Sequence, residues 1–126
     1  MRRSLISARP RLRQPPCAEA ASRVWSIRHV HVCVDKVACS AFFQTQLDGL
    51  LCHAGIRALS VCGIATNGGV ASTVRKAHLR EYPVEVLADG CAALTPGAHD
   101  SALADLRTVA AIGSVDAALA RLPPPG

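Results

Sequence analysis

The sequence is poor in aromatic residues. Phe, Trp and Tyr make up 3% of its 126 residues, with one Trp and one Tyr. Any core must therefore be built from Ala, Val, Leu and Ile within the 50% hydrophobic content. Long apolar runs are missing too: none approaches the ~20 residues of a membrane-spanning helix, so no membrane partner is expected. The N-terminus has no apolar stretch like that of a secretory signal, and its Arg-rich character is only a weak match to a transit peptide. A cytoplasmic location is the expectation that remains. The six cysteines (17, 33, 39, 52, 62 and 91) form no Cys-x-x-Cys pair and no ligand cadence with histidine. Neither a metal nor a cofactor is expected. Cys33, Cys52 and Cys62 stand among apolar residues, where a reduced, buried thiol is the expected state.

Acidic residues are scarce at the start of the chain. Arg2, Arg3, Arg9, Arg11, Arg13, Arg23 and Arg28 face Glu19 alone, and the rest of the chain is close to neutral. The net charge of +5 thus belongs to an arm rather than to a nucleic-acid-binding face, and no specific nucleic-acid partner is expected.

The length fits one domain. Residues 1–27, broken by Arg-Pro and Pro-Pro, read as a disordered basic arm, and the Pro-rich residues 123–126 as a tail. Between them, over 28–122, strand and helix patterns alternate. His29–Val34 reads as a strand and Phe42–Ala54 as a helix ending at Gly55. Ala58–Cys62 follows as a strand, Gly69–Arg80 as a helix, Pro83–Ala88 as a strand and His99–Val109 as a helix. Ala110–Ile112 reads as a short strand and Ser114–Leu122 as a last helix with Ser114 as its N-cap. Short connections between such elements predict an α/β fold with a parallel sheet and flanking helices.

The richest segment is Gly63-Ile64-Ala65-Thr66-Asn67-Gly68-Gly69-Val70. An apolar strand runs into it, and Val70, Thr73, Val74 and Ala77 leave it at helical spacing. A strand end, a tight turn and a helix start direct unpaired N–H groups toward one point, at the edge of the sheet where α/β folds place ligands.

This segment resembles the isochorismatase-like hydrolases, whose signature is Gly-Val/Ile-Ala-Thr-Asn-x-Cys-Val followed by Glu-x-Thr-x-Arg-x-Ala. Gly63 to Asn67, Val70, Thr73, Arg75 and Ala77 match; Ala71 stands in place of the Glu and Gly69 in place of the nucleophilic cysteine. Upstream, Lys36, Ser40-Ala41-Phe42, Thr45 and Leu47 are similar to the Lys-x-x-x-Ser-Ala-Phe-x-x-Thr-x-Leu segment. Downstream, Asp89-Gly90-Cys91-Ala92-Ala93 is similar to the Asp-Ala-Cys-Ala-Ala turn, and His99 with Ala102-Leu103 to a His-x-x-Ala-Leu helix. The resemblance implies a Rossmann-like three-layer fold, here missing the first strand and helix, because the Leu-Val-Ile-Asp-type run of the first strand is replaced by the arm. On this reading the chain is either truncated or begins at a misassigned start. An inner sheet edge would be left unpaired, favouring self-association into a homo-oligomer.

Members that hydrolyse amides combine a Cys nucleophile, an Asp base and a Lys, and such a unit fails without its nucleophile. Of the three, the resemblance carries over only Lys36. Asp35 points to the opposite face of its strand and cannot replace the missing Asp. The resemblance also places a non-proline cis peptide at Ile64–Ala65, and a substrate or oxyanion pocket formed by Ile64, Ala65, Thr66, Asn67 and the Gly68, Gly69 and Val70 amides. Taken on their own residues, Thr66 and Asn67 read first as helix caps and only second as ligand-orienting groups, His99 as a cap or surface residue, Cys62 as a strand residue and Cys91 as a packed turn residue. Three functions follow: an impaired family hydrolase for a small-molecule substrate, a non-catalytic oligomerising subunit or remnant, and a small-anion module at the Gly68-Gly69 helix start with Lys36 as counter-charge.

Overall fold

The computed structural model describes residues 2–3, 6–10 and 32–122, the first two segments by their backbone alone. Six strands and four helices follow in the order β1 (Arg2–Arg3), β2 (Ile6–Pro10), β3 (Asp35–Lys36), α1 (Leu47–His53), β4 (Ile56–Ile64), α2 (Ala71–Leu79), β5 (Val84–Ala92), α3 (Pro96–Leu106), β6 (Ala111–Gly113) and α4 (Val115–Ala120). The main sheet has the order β2-β4-β5-β6, and β1 pairs with β3 separately. β4, β5 and β6 are parallel, joined by crossovers through α2 and α3. This is the α/β architecture that the alternating pattern predicts, and the Rossmann-like one that the resemblance implies.

Two observations explain the layering. Val84, Val86 and Leu87 of β5 are all buried, and adjacent strand residues point to opposite faces, so both faces of this strand are covered. Leu59, Val61, Val74, Ala77, Val86 and Leu106 share the main core, whereas Leu87 is buried outside it and α4 packs on the same strand. Phe42 and Tyr82 contribute the core's one aromatic contact among the described residues, with ring centroids 6.2 Å apart. Arg80 lies over the Phe42 ring at 4.8 Å and pairs with Asp48, which also accepts from the Tyr82 hydroxyl at 3.1 Å.

Several elements depart from the sequence reading. Arg2–Arg3 and Ile6–Pro10 are paired strands inside the arm expected to lack order, whereas 11–31 lies outside the described residues. β2 runs antiparallel along β4, from Ile6 opposite Val61 to Pro10 opposite Ile56, and so occupies the edge expected to stand open. Exposed strand edges carry unsatisfied N–H and C=O groups, which any extended backbone can pair whatever its side-chain pattern. The strand expected at His29–Val34 is replaced by the two-residue β3; Val32–Val34 is irregular, and 29–31 lies outside the described residues. The helix expected from Phe42 starts only at Leu47, because Gln44 adopts φ 50° and the Thr45 hydroxyl engages the Ala41 carbonyl and the Leu47 amide. The Asp89–Ala93 turn is instead the end of β5, which continues to Ala92. α3 begins three residues before His99: the Thr95 hydroxyl accepts from the Ala98 amide at 3.1 Å, with Pro96 in the first turn. α4 starts at the expected cap, with the Ser114 hydroxyl accepting from the Ala117 amide.

The cysteines also differ from expectation. Cys52 is disulfide-bonded, and Cys33 is exposed rather than buried. Cys39, Cys62 and Cys91 are free thiols.

Candidate functional site

β4 ends at Ile64, and the peptide joining Ile64 to Ala65 is cis, at the position the motif predicts. One residue before it, Gly63 has φ 137°, a conformation that a side chain would strain. Residues Thr66–Val70 then form a single π-helical turn that leads into α2. The helix expected at Gly69 therefore opens with a wider turn, in which the Gly68 and Val70 amides both donate to the Ala65 carbonyl, at 3.0 and 3.2 Å. Two of the three amides expected to face a ligand are engaged within the turn. An anion held by this backbone gains no support.

Lys36 lies across the π-helical turn. It is buried while its neighbour Asp35 is exposed, as strand alternation requires. Its ammonium donates to the Cys39 carbonyl at 2.6 Å. A Cβ built on Gly69 would lie 3.0 Å from Lys36 Nζ, 3.4 Å from the Cys39 carbonyl oxygen and 3.7 Å from the Ile64 carbonyl oxygen. Sequence-distant Lys36 and Gly69 are thus brought together, with Ile64 contributing backbone rather than its exposed side chain. The nearest surroundings mix one cation with two carbonyl acceptors. They offer no thiol, and Lys36 has no ion-pair partner among the described residues.

A second tether holds the Lys36 segment in place. The buried Ala41 amide donates to the Thr73 hydroxyl of α2 at 3.0 Å, while Ser40 Oγ accepts from the Phe42 amide at 3.2 Å. The Ser-Ala-Phe motif and the Thr of the second motif therefore meet directly.

Thr66 and Asn67 do not cap the helix, since no side-chain cap bond is formed there. Thr66 is fully buried, and its hydroxyl meets His99 Nδ1 at 2.7 Å. His99 is thus neither a cap nor a free surface residue: it ties the first turn of α3 to the π-helical turn. No local signal in the sequence announces this pair, because 33 positions separate its members. Asn67 is exposed. Cys91 sits opposite Gly63 in the β4–β5 register; burial pushes its thiol pKa up, partly offset by the Gly63 backbone bond. Neither Cys91 nor Cys62 is among the three nearest neighbours of the Gly69 position. Among the described residues, no cluster of His, Cys, Asp and Glu could hold a metal ion, and no helix is long and apolar enough to cross a membrane.

Comparison with known proteins identifies the family. The family model described as Isochorismatase domain matches residues 8–117. The chain belongs to the isochorismatase family. It is similar to the ureidoacrylate amidohydrolase of Methylorubrum extorquens, 39% identical over 93 residues, covering 70% of this chain and 38% of that protein. A protein of Arabidopsis thaliana named "Probable inactive nicotinamidase" is 35% identical over 75 residues, covering 59% of this chain and 38% of its own length. Among solved structures, an isochorismatase-like hydrolase from Alkaliphilus metalliredigens superposes with a TM-score of 0.68 and 34% identity, over 69% of this chain and 48% of that one. The chain thus spans well under half the length of these curated relatives and about half of this solved structure.

Proposed function

We propose that this chain is an isochorismatase-family hydrolase-like protein whose site lacks the family's thiol chemistry. The observation that carries the reading is the 3.0 Å approach of Lys36 Nζ to the Cβ position of a residue that has no side chain. A lysine placed to lower a thiol pKa and to stabilise developing charge is in position; the thiol it would serve is not. Amide-cleaving activity of the kind named for the Methylorubrum relative then has no nucleophile at Gly69. The purified chain is expected to release no ammonia from nicotinamide or from a ureido-type amide. Turnover that is abolished by Lys36→Ala yet persists after thiol alkylation would overturn the expectation of an inactive site, and turnover lost on alkylation would overturn the absence of thiol chemistry.

A second reading, a non-catalytic subunit that associates with copies of itself, draws on a different observation. Val37, Ile64 and Leu94 are 79%, 79% and 100% exposed, and all three lie close in sequence to the carboxyl ends of β3, β4 and β5. Ile64 stands opposite Ala92, two residues before Leu94, so the adjacent ends of β4 and β5 leave large apolar side chains exposed, which favours association. Sedimentation at micromolar concentration should then show a homo-oligomer, and Leu94→Lys should shift it toward monomer. A wild-type chain that sediments as a monomer throughout would dismiss this second reading.

A further inference from the structure

The π-helical turn, α2 and α3 together line a groove of about 190 Å³. Its floor is alanine: Ala71 and Ala102 are both buried there. Four polar side chains stand around it, Asn67 at the π-helical turn, Arg75 on α2, and Ser101 and Asp105 on α3. Arg75 and Asp105 carry opposite charges yet form no ion pair with each other, and none of the four side chains has a hydrogen-bond partner among the described residues. Two other surface arginines, by contrast, are paired: Arg80 with Asp48, and Arg121 with Glu85.

Concave sites that bind small molecules combine an apolar floor with a few convergent polar groups. Here the polar groups comprise one cation, one anion, one amide and one hydroxyl. The volume is below the roughly 300–1,000 Å³ of sites for drug-sized ligands and equals about six waters at roughly 30 Å³ each. We propose that this groove is a binding site for a small zwitterion, an amino-carboxylate whose carboxylate is held by Arg75 and whose ammonium is held by Asp105. Arg75 supplies a planar fork suited to a carboxylate, and Asp105 accepts from an ammonium. Asn67 and Ser101 add bonds of either polarity. The site is separate from Lys36 and Gly69, so it does not depend on whether the chain hydrolyses anything.

The test titrates the full chain by amide NMR with ω-amino acids of increasing length, from glycine to aminohexanoate. Acetate and methylammonium serve as single-charge controls. At least one zwitterion should produce saturable shifts at Ala71, Arg75, Ala102 and Asp105, binding more tightly than either control. Arg75→Ala and Asp105→Ala should each weaken it about tenfold or more, the loss expected for a charge-assisted hydrogen bond. Ala71→Glu should abolish binding by filling the floor and pairing with Arg75 one turn on. Native amide shifts away from the groove check that this variant is folded, and the Arg75→Ala and Asp105→Ala variants test the site without filling its buried floor. An absence of saturable shifts with every zwitterion would overturn the proposal. Acetate binding as tightly as the best zwitterion would do the same, because it leaves an anion contact at Arg75 alone.

Discussion

The ammonium of Lys36 lies 3.0 Å from the point where a side chain on Gly69 would begin. This contact is tight, but its mobile partner is the free end of a flexible side chain, which can withdraw by a few tenths of an ångström. Gly69→Cys should therefore fold, and its thiol should titrate below the roughly 8.5 of free cysteine because a cation stands beside it. The pH profile of alkylation at that position, read by peptide mass spectrometry, checks this. Adding Lys36→Met should return the midpoint upward; a midpoint indifferent to Lys36 would break the electrostatic link.

Thr73 provides the second anchor of the Lys36 segment. Thr73→Val keeps the shape but removes the acceptor for the buried Ala41 amide. An orphaned buried donor costs about 1–3 kcal/mol, so the urea midpoint should fall with the slope unchanged, while Thr73→Ser should lose far less. Equal stability of wild type and Thr73→Val would show that the Ala41 amide finds another partner.

Thr66 and His99 should behave as one unit. Removing either member, by Thr66→Val or His99→Leu, deletes the same 2.7 Å bond. Each single change should cost about 1 kcal/mol, and the double change less than the sum. A double-mutant cycle measures that shortfall. Strict additivity would mean that the bond carries no stability.

Tyr82 gives the chain a pH limit on the alkaline side. Burial first, and then the Asp48 carboxylate that accepts its proton, push its pKa up from 10.0 to about 12. A phenol held protonated in the folded state contributes stability that is complete below pH 10. The contribution is lost as pH rises from 10 to about 12, because the unfolded chain ionises first. Two units correspond to about 2–3 kcal/mol. Tyr82 is the chain's single tyrosine, so phenolate absorbance reports it alone. The folded chain should titrate near 12, and Tyr82→Phe should flatten the stability loss over that interval.

What could be read from the sequence was local or motif-borne. The strand into Gly63, the cis peptide at Ile64–Ala65 and the Ser114 cap all follow from short-range patterns or from a motif with fixed spacing. What could not be read was carried by long-range contacts. The Thr66–His99 bond and the pairing of β2 with β4 join segments whose own residues give no sign of each other. The late start of α1 depends on one positive φ at Gln44, which helical periodicity does not register. The groove brings Ala71 of α2 and Ala102 of α3 into one lining, a fact of packing rather than of pattern.

The pairing of Arg2 with Lys36, and of Ile6 with Val61, has a practical side. Arg2–Arg3 pair with β3, and β2 runs along β4 from near its carboxyl end, so these two strands stand at the doorway of the site. An affinity handle fused ahead of these strands is expected to interfere with what the assay sets out to measure. A handle placed after α4 emerges beside Glu85 and Arg121, on the flank of β5. Comparing the two fusions in the same binding experiment would map the doorway without changing a single residue of the protein.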